Sequence, residues 1–210
     1  MSLNEHPRQR RRVNDSPDSE LDGGTSARRK ARADNLLSMF AKAFPEISYN
    51  LFWDSHSVNA QAWCSGEARH VVLYGGLVRH PLVSRNCLAL TLAHETGHHL
   101  GGRPLDPELR WPTWQGQADY WAARTAMPRV FGAKARAITF RGARELVRLT
   151  REIETEDSDL SVEERLVIFT AGATDQAPPT CLRKAFDRVL RRNRKFDACH
   201  SENGRDPWVL

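Results

Sequence analysis

Two histidines four residues apart, His94 and His98, with Glu95 beside the first, are the residues of this chain best placed to do chemistry. The stretch before them, Cys87-Leu-Ala-Leu-Thr-Leu-Ala93, is apolar and reads as a buried helix. Residues four apart on a helix share one face, one turn apart, so both imidazoles can address a single metal ion. Glu95 falls on the adjoining flank, within reach of a water on that ion. This is the geometry of a hydrolytic zinc site, with two nitrogen ligands and a carboxylate as general base. The bland alternative is a pair of ordinary polar histidines. It fares poorly, because two His and a Glu projected from so apolar a segment are costly to bury without partners. His99 is expected to point away from the metal face, toward solvent or the helix end.

The helix has recognisable ends. Ser84 is a candidate N-cap, and Gly101-Gly102 follow Leu100 as C-cap residues. Leu90, Ala93, Gly97 and Leu100 repeat at helical spacing and give it a core face. A catalytic zinc takes three protein ligands and one water, so the chain must supply one more. A second helix is available from Gln115 to Met127, after a loop broken by Pro104, Pro107 and Pro112. Pro128 is expected to close it.

The runs His94-Glu-Thr-Gly-His-His-Leu-Gly-Gly102 and Trp114-Gln-Gly-Gln-Ala-Asp-Tyr-Trp-Ala-Ala123 resemble gluzincin-type zinc metallopeptidases. More narrowly, they resemble bacterial proteins whose second helix reads Glu-Gly-Gln-Ala-Asp-Tyr. The resemblance spans roughly residues 70 to 125. It implies an α+β fold: a mostly helical, zincin-like metallopeptidase domain with a small sheet beside the active-site helix. It implies Zn2+ as cofactor and a protein or peptide as substrate. In that pattern the Glu binds zinc, and the Asp four residues later orients the first His. Asp119 matches the Asp, but Gln115 stands where the Glu is expected. Two readings follow. Gln115 coordinates through its amide oxygen, a poorer ligand than a carboxylate, and Asp119 stays behind the His. Or Asp119, the charged group on the same helix face, is itself the third ligand, which is the reading favoured here. Without the motif upstream, Asp119 would read as a surface carboxylate paired with Arg124 or Arg129. The resemblance also implies a strand whose edge receives an extended peptide, and Val71 to Gly76 is the candidate.

The function implied is that of a zinc-dependent metalloendopeptidase, hydrolysing peptide bonds by a metal-activated water with Glu95 as general base. Tyr120, Tyr74 and His200 are conceivable donors to the oxyanion, and none is assigned. The alternative is a catalytically weak or silent protein of zincin fold, acting as a binding or regulatory module. A peptidase that clips a single regulatory protein is a third reading.

The elements around the site follow from composition and pattern. At 210 residues with 40% hydrophobic content, the chain suits one domain plus tails. Residues 1–32 are charged and read as a disordered tail, 33–195 as the metallopeptidase-like domain and 196–210 as a C-terminal tail. The basic clusters Arg8 to Arg12 and Arg28 to Arg32 make nucleic acid a weak second partner. No run of 18 apolar residues is present, and no apolar segment follows the N-terminal arginines, so a cytoplasmic protein without a membrane span is expected. A first helix is expected over 31–44, with Leu36, Leu37, Phe40 and Phe44 as its stripe. Strands are expected over 48–53 and 68–74, the second stopped by Gly75-Gly76. Helices follow over 133–150, from Ser161, and over 181–193 with Thr180 as cap. Cys87 suits a buried apolar role, and Cys181 and Cys199 could pair only in an exported chain.

Overall fold

Leu36, Leu37, Phe40 and Phe44 recur at helical spacing and are all buried, so they set one helix against the core. That helix, α1 (Gly23–Ala43), starts eight residues earlier than the apolar stripe indicates. Its first turns are polar, yet Arg29 donates to the carbonyl oxygens of Val78 and His80 at 3.2 and 2.8 Å. Lys30 pairs with Asp34 one turn on. The basic run Arg28 to Arg32 therefore belongs in part to the helix anchor rather than to a tail. The computed structural model describes residues 23–153 and 160–193. Residues 1–22 of the tail expected over 1–32, residues 154–159, and the C-terminal tail expected over 196–210 with Cys199 and His200 lie outside the described residues.

Three short strands follow: β1 (Ile47–Phe52), β2 (Ala60–Ser65) and β3 (Ala68–Tyr74). They form a mixed sheet in the order β1-β3-β2, with β1 parallel and β2 antiparallel to β3. The β2–β3 hairpin turns on Gly66 at φ +59, a backbone conformation that glycine adopts without strain. This arrangement corrects the expected substrate edge. β3 is the central strand, paired on both sides, so Val71 to Tyr74 have no free ladder groups to offer. Gly75 and Gly76 do stop it, and open the short helix α2 (Gly75–Arg79). β2 was not foreseen, because Ala-Gln-Ala-Trp-Cys-Ser has only one strongly strand-forming residue.

The remaining elements are helical, which makes the fold α+β and mostly helical. They are α3 (Arg85–Leu100), α4 (Gln115–Trp121), α5 (Met127–Phe131), α6 (Ala135–Ile153), α7 (Val162–Ala173) and α8 (Thr180–Asn193). Pro128 does not end the second helix. The turn before it, Ala122–Ala126, widens to a π-helix, and the Met127 N–H reaches back to the Ala122 carbonyl. The wider turn accommodates a residue that lacks an N–H, so α4 runs on into α5. α3 lies at the centre, buried from Cys87 to His98 and packed against α1, α4, α6 and the sheet. A second cluster gathers Trp114, Ile168, Leu182 and Phe186 and docks α7 and α8 on the start of α4. Among the described residues, no helix is long and apolar enough to cross a membrane.

Candidate metal centre

Ser84 caps α3 by accepting from the Asn86 N–H, and Gly101 ends it. Between these ends sit His94, Glu95 and His98. Their ligand atoms lie within 4.8 Å of one another, and among the described residues they form a group able to hold a metal ion. The two rings meet edge to face, with centroids 4.6 Å apart.

Each imidazole is held by its other nitrogen. His98 Nδ1 lies 2.8 Å from the carbonyl oxygen of Thr113. His94 Nδ1 lies 2.7 Å from Asp119 Oδ1. A carbonyl oxygen only accepts, so the His98 ring proton sits on Nδ1 and its Nε2 lone pair is left for a metal, while the His94 ring has the Asp119 carboxylate on its Nδ1 side, outside hydrogen-bond geometry. That donor set, two imidazoles beside a carboxylate, fits a divalent ion such as Zn2+. Burial pushes the His98 imidazole down to about 3, helped by the neighbouring His94, against the pull of Thr113 and Asp119. His98 is therefore neutral, the form that coordinates.

Thr113 makes three contacts. Its carbonyl takes the His98 ring proton, and its N–H donates to the His98 backbone oxygen at 2.8 Å. Its hydroxyl donates to the Gly102 carbonyl. The proline-rich loop is thereby folded back onto the end of α3.

Asp119 is fully buried behind His94. Both of its oxygens are engaged by Arg165, whose Nε and Nη2 donate to Oδ2 and Oδ1 at 2.8 Å each. Burial alone would push this carboxyl up; the charges and hydrogen bonds of Arg165 and His94 outweigh it and hold the group at about 2. The structure thus places Asp119 on the Nδ1 side of His94, and neither Arg124 nor Arg129 is its partner. Gln115, the first residue of α4, lines the cleft with His94, Glu95 and His98. Asp119 does not line that cleft.

The spacing of α3 and α4 depends on Gly97. A Cβ there would sit 2.8 Å from the Ala118 carbonyl oxygen and 3.1 Å from its Cα. The glycine inside the His-Glu-Thr-Gly-His run is what lets Asp119 reach His94. Thr96, on the opposite side, donates to the Leu92 carbonyl, so the Tyr49 hydroxyl donates to Thr96 Oγ1 at 2.8 Å and ties β1 to the helix. His99 does face away from the cluster, but it is not free. Its Nε2 meets the His70 carbonyl at 3.0 Å, and its ring lies against Trp111. The Cys87 thiol is fully buried, which pushes it up to about 12.

The cleft over these groups has a volume of about 220 Å³. Val58, Ala60 and Ala62 border it at the sheet, Leu109 and Trp111 at the proline loop, and α6 along its inner face. Neither tyrosine considered as an oxyanion donor lines it. The Tyr120 hydroxyl donates to the Gln176 carbonyl and that of Tyr74 to Gln61 Oε1.

No family model, curated protein or solved structure matches this chain.

Arg165 and Thr113 were missed in the sequence. Thr113 acts through its backbone, which leaves no residue-type signal. Arg165 had one: it occupies an apolar helical stripe shared with Ile168, Phe169 and Gly172, and a charge on that face demands a buried counter-ion.

Proposed function

We propose that this chain is a zinc-dependent metallopeptidase of zincin type, hydrolysing peptide bonds with Glu95 as general base. The observation that carries the reading is the pair of imidazoles on one helix face, each with an oxygen beside its Nδ1, whose ligand atoms and that of Glu95 lie within 4.8 Å of one another. A structural histidine pair has no need of that arrangement. Zn2+ held there would polarise a substrate carbonyl and lower the pKa of a coordinated water toward 7. Glu95 takes the proton of the attacking water and returns it to the leaving amine. His94 and His98 hold the ion and relay no proton. Gln115 offers an amide oxygen from the start of α4, while Asp119 and Arg165 fix the His94 ring.

An extended peptide has a place to lie. β2 is an edge strand bordering the cleft, and no other described strand pairs with its outer side. In the antiparallel ladder, Tyr74 N–H bonds to the Asn59 carbonyl, so the alternate residues Ala60 and Ala62 turn their backbone groups outward. A peptide strand adding there passes His94 and Glu95.

Glu95→Gln is the decisive variant. It should lower peptide hydrolysis by at least about 100-fold while zinc uptake stays stoichiometric. Hydrolysis at the wild-type rate by this variant would remove Glu95 from the mechanism. The second reading, a silent protein of the same fold, is favoured by the neutral Gln115 in the ligand position. Absence of stoichiometric zinc uptake by wild-type protein would decide for it.

A further inference from the structure

α6 turns opposite faces to different surroundings. Leu146, Leu149, Thr150 and Ile153 line the cleft. Arg141, Arg144, Arg148 and Arg151 follow one another at helical spacing on a second face, about half a turn away from that lining. All four are exposed. At about 1.5 Å of rise per residue the row is roughly 15 Å long.

The fold itself gains little from this row. Like charges three and four residues apart repel and disfavour a helix. The two glutamates of α6 point to other elements. Glu145 accepts from the Ser84 N–H at 3.3 Å, and Glu152 lies 3.7 Å from His80 Nε2. A helix end favours a cation in its last turn, which accounts for Arg151 but not for the three arginines before it. Elsewhere the arginines are employed: Arg29 and Arg79 hold backbone carbonyls, and Arg124 pairs with Asp175. Arg141, Arg144 and Arg148 make no hydrogen bond or ion pair with any described residue.

The cationic surface continues past α6. Arg151 pairs with Glu163, and Arg188 of α8 holds both oxygens of Glu164 at 2.9 Å. Glu163 and Glu164 are neighbours in the first turn of α7. The α6 row and the exposed Lys184, Arg188 and Arg191 of α8 therefore meet across that turn. Exposed pairs of this kind are screened by salt and exchange their partners at little cost.

A regular row of guanidinium groups suits a partner with regularly repeated anions. Each fork can place two N–H groups on one phosphate. A duplex presents a phosphate about every 3.4 Å of axis on each strand, so a row of this length runs beside roughly four of them. An anionic membrane fits less well. Peripheral helices insert apolar side chains, and the exposed large hydrophobics, Phe52, Leu82, Trp111 and Val167, all lie off α6. The formal net charge of +5 steers the chain toward polyanions.

We propose that the outer face of α6 is a docking surface for duplex nucleic acid, held through its phosphates without reading the bases. Arg141, Arg144 and Arg148 make the contacts, and Arg151 and the α8 cations form the edge. Phosphate contacts fix position and carry no sequence information. Docking here requires neither zinc nor Glu95, so it stands or falls separately from the peptidase reading.

The test is fluorescence anisotropy of a labelled duplex of about 20 base pairs, titrated with the full chain between about 50 and 200 mM salt. The triple variant Arg141→Gln, Arg144→Gln, Arg148→Gln should bind at least tenfold more weakly at the lower salt. Its plot of log affinity against log salt should be shallower than wild type by about 2.7, which is 0.9 for each of three phosphates. Gln is a good helix former at exposed positions, and circular dichroism reports that the variant is folded. Arg141→Lys, Arg144→Lys, Arg148→Lys keeps the charge and should keep the wild-type slope. Arg32→Gln, Lys42→Gln, Arg103→Gln removes as much charge from other surfaces and should change the slope by less than about 1. Chelation of zinc and Glu95→Gln should leave duplex binding unchanged. Wild-type protein that fails to bind the duplex, or equal losses in the two Gln triples, overturns the proposal. So does an α6 triple that keeps duplex binding but loses phosphatidylserine vesicles or polyglutamate, which would assign the face to a lipid surface or an acidic protein.

Discussion

Removing the Arg165 guanidinium tests the chain of contacts behind the metal centre. In Arg165→Met the side chain keeps much of its length and loses its charge. Asp119 has no exposed surface and the Arg165 side chain only 10%, so solvent cannot replace the lost partner. Breaking a buried ion pair from one side costs about 3–5 kcal/mol, because the other charge is left behind. Against a total stability of about 5–15 kcal/mol, that is a large fraction. For a domain of this size, about 2–4 °C of melting temperature is lost per kcal/mol, so the metal-free variant should melt about 6–20 °C below wild type. Asp119→Asn in the same background removes the orphaned charge. The double variant should therefore be less destabilised than the two single changes added together, by more than the ~0.5 kcal/mol expected of independent sites. Zinc affinity, measured by competition with a chromogenic chelator, should fall about 10–100-fold in either single variant, as it does when a ligand's orienting partner is lost. Strict additivity in denaturant titrations, together with unchanged zinc affinity, would refute the idea that Arg165 acts through Asp119 on His94.

Three further outcomes follow from the same geometry. Gln115→Glu puts a carboxylate at the head of α4, where the side chain faces the cleft, and should tighten zinc at least tenfold in calorimetric titration; unchanged affinity would mean that Gln115 is not a ligand. Gly97→Ala drives a methyl into the Ala118 backbone and should cost about 1–3 kcal/mol in urea denaturation, as overpacking does, with weaker zinc binding as α4 shifts; a silent substitution would refute the close approach of the two helices. The metal-free protein should lose stability on acidification in two stages. His98, held near 3 in the fold against 6.5 when free, contributes stability that is complete above about 6.5 and lost as the pH falls toward 3. Asp119, held at about 2, adds a further loss as the pH falls from about 4 toward 2. Thermal melts between pH 7 and 3 check this, and a flat melting temperature over that range would contradict it.

Much of the site was legible because it is local. His94, Glu95 and His98 lie within five residues of one helix, and helical periodicity alone puts them on adjoining faces. Ser84 and Ser161 announced their helices through side chains that act within three residues; Ser161 and Glu164 form a reciprocal capping box. The surroundings of Asp119 were not legible, because Gln115 and Asp119 share a face and the partner that holds Asp119, Arg165, lies 46 residues further along the chain. The substrate edge failed for a related reason. β3 has the apolar Val71-Val72-Leu73 run of a buried strand, and that run is apolar because the strand is central. The edge strand β2 is weakly patterned because one of its sides faces the cleft. Pro128 misled because a local rule about helix ends ignores the π turn that the packing of α7 on Ala122–Ala126 accompanies.

The double grip of Thr113 on His98 has a kinetic corollary. Swinging the His98 ring outward would orphan the Thr113 carbonyl, and restoring it a partner requires peeling the proline loop from the end of α3. Rotation of the His98 ring and opening of that loop are therefore one event. Solvent exchange of the Thr113 amide proton should therefore be no faster than the unclasping of residues 101–114.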